Sequence, residues 1–194
     1  MDPSPLSPLE ARVLGVLIEK QRSVPDTYPM SLNALVAGCN QKTSRSPIMN
    51  ASEAEVLEAL DALKHRSLVV ETSGGRVMRY AHNAERALGL PSQSVALLAT
   101  LALRGPQTAA ELRQRSDRLH VFAAGEVEAT LERLGSRDLV ARADRRPGEK
   151  GERYRQLLGE EQAKAEPVVS GPSLEERVAR LEEEVARLRD RLDG

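Results

Sequence analysis

The chain has 194 residues, of which 40% are hydrophobic, with no Trp, one Phe and three Tyr, so its cores must be built from Leu, Val and Ala. A formal net charge of −1 excludes a globally basic polyanion binder but leaves room for local basic patches. The single cysteine, Cys39, excludes an internal disulfide and suits a reducing compartment.

Ser7, Pro8 and Glu10 spell an N-cap, a first-turn proline and a capping-box glutamate, which predicts a first helix with a buried stripe of Leu9, Val13, Leu14, Leu17 and Ile18. Pro25 and Pro29 interrupt the chain before Ser31 caps a short helix carrying Leu32, Leu35 and Val36. A polar stretch, CNQKTSRSPIMN, fills 39–50. Ser52 and Glu55 form a second capping box, opening a helix that ends before a strand at 68–72. The Gly74-Gly75 turn and a returning strand with Val77, Met78 and Tyr80 complete a hairpin.

The order then recurs. Ser92 or Ser94 begins a helix with Val95, Leu97, Leu98 and Leu101 that stops at Gly105-Pro106. Thr108 and Glu111 box the next helix, a further helix covers 125–137, and strands are expected at 139–143 and 154–158. The phrase EVLEALDALKHRSLV at 55–69 returns as EVEATLERLGSRDLV at 126–140, with seven of fifteen positions identical. Val56, Leu60 and Leu63 share one helix face, as do Val127, Leu131 and Leu134. Three helices followed by a hairpin, written twice, predict a mainly helical chain with small β-hairpins. The expected organisation is two winged-helix domains, at 1–84 and 85–158. A linker is expected at 159–172. In 173–194, Leu174, Val178, Leu181, Val185, Leu188 and Leu192 form a heptad seam, the pattern of a parallel coiled coil that would make the protein a homodimer.

The segments LEARVLGVLIEKQ and TYPMSLNALVAGCNQKTSRSPIMN, with the repeated EV…L phrase, resemble the YceH family of uncharacterised bacterial proteins. The most specific stretch is Cys39, Asn40, Gln41, Lys42, Thr43, Arg45, Pro47, Met49 and Asn50. The resemblance implies a tandem winged-helix fold with a coiled tail and brings no established activity.

No cofactor or metal is expected. The three histidines, His65, His82 and His120, share no metal-ligand spacing, and there is no phosphate loop or nucleophile elbow, so a non-enzymatic protein is expected. The N-terminus has no signal-peptide pattern and no apolar run approaches a membrane span, so a cytoplasmic protein without membrane contact is expected.

Two readings of function stay open. Weak, salt-sensitive contact with duplex DNA would use the hairpins and the 39–50 loop, with Lys42, Arg45, Arg76, Arg79, Arg145, Arg146, Lys150 and Arg153 as candidate contacts. Arg113, Arg115 and Arg118 lie in and after a neighbouring helix, and 142–155 holds six cations against three acids. The acidic third helices, with Glu53, Glu55, Glu58 and Asp61 in one copy and Glu126, Glu128 and Glu132 in the other, instead fit an adaptor for a protein partner. Within the polar loop, Cys39, Asn40, Gln41, Thr43, Pro47 and Asn50 either bond the loop's own backbone or meet a ligand or partner.

Overall fold

Local signals place the helix starts where the sequence puts them. The computed structural model describes residues 5–73, 77–143 and 151–159, all within one compact unit. Helix α1 (Pro8–Ser23) begins at the Ser7–Glu10 capping box. A 3-10 turn (Pro25–Thr27) leads to β1 (Met30–Ser31), and Ser31 caps α2 (Leu32–Cys39). Helix α3 (Glu53–His65) starts at the Ser52–Glu55 box and is followed by β2 (Val69–Ser73) and β3 (Met78–His82). A one-turn helix, α4 (Ala84–Leu88), joins the halves. The second half runs α5 (Ser92–Arg104), β4 (Gln107–Thr108), α6 (Ala109–Arg115), α7 (Glu126–Gly135), β5 (Val140–Ala143) and β6 (Arg153–Gln156).

The result is mixed helix with two small antiparallel sheets, ordered β1-β3-β2 and β4-β6-β5. The registers correspond: Met30 faces Tyr80 and Gln107 faces Tyr154. The repeated phrase also ends identically. Leu68 N–H donates to Leu63 O at 2.9 Å, and Leu139 N–H to Leu134 O at 3.0 Å. The residues before them, Ser67 (φ 60°) and Asp138 (φ 55°), are left-handed. This closes both helices with a Schellman-type turn that aims the chain into the strand.

Five features escape the sequence pattern. Strands β1 and β4 are two residues long and exist only through pairing with β3 and β6. Helix α4 has five residues and the 3-10 turn three, too few to show a period. Helix α1 is buried around most of its circumference, because α2 and α3 cover one side and α5 packs on another. Gly15 permits that approach: a Cβ there would lie 3.0 Å from Leu103 Cγ. One hydrophobic cluster therefore runs through both copies, from Val13, Leu17 and Leu60 to Leu97, Leu101 and Leu131. The Gly74-Gly75 turn, most of the 159–172 linker and the heptad seam from Leu174 to Leu192 lie outside the described residues.

Candidate functional site

The polar loop after α2 is a clasp built by buried side chains from several elements. Asn40 closes it: its Nδ2 donates to Ala51 O and its Oδ1 accepts from Ala51 N–H, both at 2.8 Å. Arg12, on α1 and wholly buried, donates to Cys39 O at 3.2 Å and to Pro47 O at 2.7 Å. Its Nε has no hydrogen-bond partner among the described residues, and burial together with the nearby Arg45 charge lowers its pKa. The main chain then crosses to the second copy, where Ser46 N–H donates to Leu103 O at 2.8 Å near the end of α5.

Arg45 corrects an expectation. As a candidate DNA contact it should be exposed, but its side chain has 0% relative exposure. It donates to Gly38 O (3.0 Å), Ser44 O (2.9 Å) and both carboxylate oxygens of Glu19 (2.6 and 3.2 Å). A guanidinium's fixed fork suits this two-oxygen pairing. Burial pushes the Glu19 carboxyl up, but the hydrogen bond and charge of Arg45, with Lys20 beside it, hold it below its ordinary value.

Cys39 is fully buried, and burial pushes its thiol up to about 11. Of the remaining loop residues, Lys42, Thr43, Pro47 and Asn50 are exposed and Gln41 is half-buried. Ile48 stands 63% exposed among them.

The other cations divide in the same way. Arg79 donates to Pro29 O at 2.8 Å, and Arg153 donates to Pro106 O at 2.8 Å and pairs with Glu111 at 3.3 Å. Both brace a hairpin against the segment leading into the first strand of its sheet. Lys42 alone of the described candidates projects from the surface without such a tie. Arg76, Arg145, Arg146 and Lys150 lie outside the described residues.

The third helices expose acid. On α3, Glu53, Glu55, Glu58 and Asp61 are exposed, together with Leu57. Lys64 is drawn onto Asp61 (2.7 Å) and Glu71. On α7, Glu128 and Glu132 are exposed, and Glu126 is held by Ala123 N–H and His120. Arg137, just past the helix, donates to Leu88 O (2.8 Å) and Gly89 O (3.0 Å).

His82, at the end of β3, reaches Gln21 of α1. Burial, reinforced by Arg22, lowers its pKa to about 4, and its Nε2 meets Gln21 Oε1 at 2.8 Å. Among the described residues no group of three His, Cys, Asp or Glu could hold a metal ion, and no helix is long and apolar enough to cross a membrane.

Sequence reasoning missed Arg12 and Glu19. Each sits on α1 one position from the predicted apolar stripe, and nothing local distinguishes it from a solvated charge.

These observations define a class: a duplicated helix-and-hairpin unit whose copies share a core and are joined by a clasp of buried polar groups. The chain belongs to the family described as "Protein of unknown function, DUF480", which matches residues 6–149. It is 55% identical over 204 residues to a UPF0502 protein of Paraburkholderia phymatum, covering 94% of this chain and 87% of that one. A UPF0502 protein of Burkholderia multivorans is 54% identical over 198 residues, with 94% and 84% covered. One from Cupriavidus taiwanensis is 62% identical over 160 residues, with 81% of this chain and 66% of the relative covered.

Proposed function

We propose that the chain is a tandem winged-helix protein that acts without catalysis, docking a protein partner on the exposed faces of α3 and α7. The paired helices, short first strand and hairpin in each copy support the winged-helix reading. The observation that carries the adaptor role is the charge of the third helices. A major-groove reader meets phosphates with Lys or Arg along this element. Here both copies offer carboxylates along the helix, and of the cations at the helix ends Lys64 and Arg137 are engaged by other groups of the chain while Arg133 of α7 is exposed.

A partner with a basic face, anchored at Leu57 on α3, fits this surface. Replacing Glu58 and Asp61 with Arg tests it. Wild-type protein should capture a specific partner in crosslinking that the double variant loses, while neither binds duplex DNA. Micromolar duplex binding by the wild type, with the crosslinked partners unchanged by the substitutions, overturns the proposal.

A second reading rests on the segment 142–155, with its six cations against three acids. Backbone-directed, salt-sensitive duplex contact there would weaken, and its salt dependence flatten, when Arg145, Arg146 and Lys150 become Ala. In either case the heptad seam of the tail supports pairing of two chains, and the lone buried cysteine supports residence in the reducing cytoplasm.

A further inference from the structure

A polar groove opens between the two copies, separate from the acidic helix faces. Lys20 lines it from α1, Thr43 and Ser44 from the clasp, and Arg104, Arg115 and Arg118 from α5, α6 and the turn beyond. Its one carboxylate, Glu19, is already taken by Arg45 at 2.6 Å and Lys20 at 3.5 Å. Arg115 is shared with Glu111 (3.3 Å) and Gln107 Oε1 (2.9 Å).

Arg104 is different. It is half-buried, faces the like charge of Arg115, the opposite charge of Glu19 and the like charge of Arg45, and makes no hydrogen bond or ion pair among the described residues. Arg118, exposed at the rim, makes none either. Of the four cations lining the groove, Lys20 and Arg115 pair with carboxylates, whereas Arg104 and Arg118 have no partner among the described residues, so a multiply charged anion would supply what the fold does not.

We propose that this groove binds a compact polyphosphate anion: pyrophosphate, or the phosphate chain of a nucleotide. Planar guanidinium forks, two hydroxyl donors and the Gln41 and Gln114 amides suit a cluster of phosphate oxygens better than a single carboxylate. The walls come from three directions, α1, the clasp and the α5–α6 corner, which makes the site concave. A small anion can enter a concavity that the convex backbone of a duplex meets only at its rim.

Calorimetry on the full chain at low salt tests this, with inorganic pyrophosphate, a nucleoside triphosphate and a short DNA duplex as separate titrants. At least one small phosphate should bind. Arg104→Gln combined with Arg118→Gln should weaken it by about tenfold or more, the scale of lost charge-assisted bonds. Arg113→Gln, exposed on α6 outside the groove, should leave binding within about twofold. Because Arg104 is half-buried, Arg118→Gln alone serves as a variant that cannot disturb the core, and it should weaken binding in the same direction. Absence of heat with both small phosphates overturns the proposal. So does an equal loss in Arg113→Gln, or a duplex that binds through these arginines more tightly than either small anion.

Discussion

Replacing Glu19 with Gln removes the carboxylate facing Arg45 while nearly preserving its shape. The Arg45 side chain is 0% exposed and that of Glu19 16%, so the guanidinium left behind has no route to water for its charge. Breaking a buried pair from one side costs about 3–5 kcal/mol. The slight exposure of Glu19, and the two backbone carbonyls Arg45 keeps, put this case at about 3 kcal/mol. Arg45→Met also frees the carbonyls of Gly38 and Ser44, at a cost on the order of 1–3 kcal/mol. The two changes should not add: with both charges gone the desolvation penalty disappears, and a coupling of about 1–3 kcal/mol should emerge from the cycle. Urea unfolding of the four proteins at neutral pH measures all these quantities, with unchanged m values confirming a common unfolding transition. Glu19→Gln costing less than about 1 kcal/mol, or strictly additive costs, would refute the picture of a buried ion pair locking the clasp to α1. The pH dependence has a fixed sign. Because the Glu19 carboxyl sits below its ordinary value when folded, its contribution is present above the unfolded value and is lost as pH falls through the folded one. Glu19→Gln should lose that dependence.

Three further outcomes follow from other sites. His82, ordinarily near 6.5 and here near 4, makes the unfolded chain bind a proton that the folded chain refuses between those values. Stability should therefore fall as pH drops from 6.5 toward 4, by at most about 1.4 kcal/mol per pH unit, and denaturant midpoints of His82→Gln should lack that slope. Gly38→Ala would set a Cβ 2.7 Å from Val16 Cγ1, so the buried Val16 side chain or α2 must give way; thermal or urea unfolding should report a loss of about 1–3 kcal/mol. Cys39, fully buried with its thiol near 11, should resist a thiol-specific reagent in the native protein at pH 8 and react promptly in denaturant. Rapid native labelling would contradict that burial.

The legible parts of the fold are those whose causes lie within a few residues. The boxes Ser7–Glu10, Ser52–Glu55 and Thr108–Glu111 satisfy their own backbone donors, so three helix starts can be read without knowing the rest of the chain. Likewise Val56, Leu60 and Leu63 declare a buried face by spacing alone. What spacing cannot declare is a second buried face on the same helix. The residues of the α1 stripe from Val13 to Ile18 are buried, but so are Gly15 and Val16 on its other sides, covered by α5 and α2, partners whose positions depend on the whole fold. The short strands β1 and β4 are invisible for a related reason: two residues carry no periodicity, and only β3 and β6 make them strands.

Charge misleads most where the two copies differ. Ser31 and Thr108, the caps of α2 and α6, are 77 residues apart, whereas Val56 and Val127 are 71 apart. The first copy therefore carries six extra residues between its second and third helices, and these fall in the polar loop. Cys39 and its counterpart Ser116 are both wholly buried, so the copies agree up to that point and part immediately after it. In composition the added segment looks like a solvated loop. In the structure Arg45 reaches Glu19, 26 positions earlier, Pro47 O receives Arg12, 35 earlier, and Ser46 N–H reaches Leu103 O, 57 later. No local rule links residues so far apart, and a long polar side chain gives no sign of whether water or a carbonyl will be its partner. The insertion turns two similar units into one body by spending polar groups inward. The same act removes Arg45 from the surface and leaves Thr43 and Ser44 lining the groove that Arg104 faces.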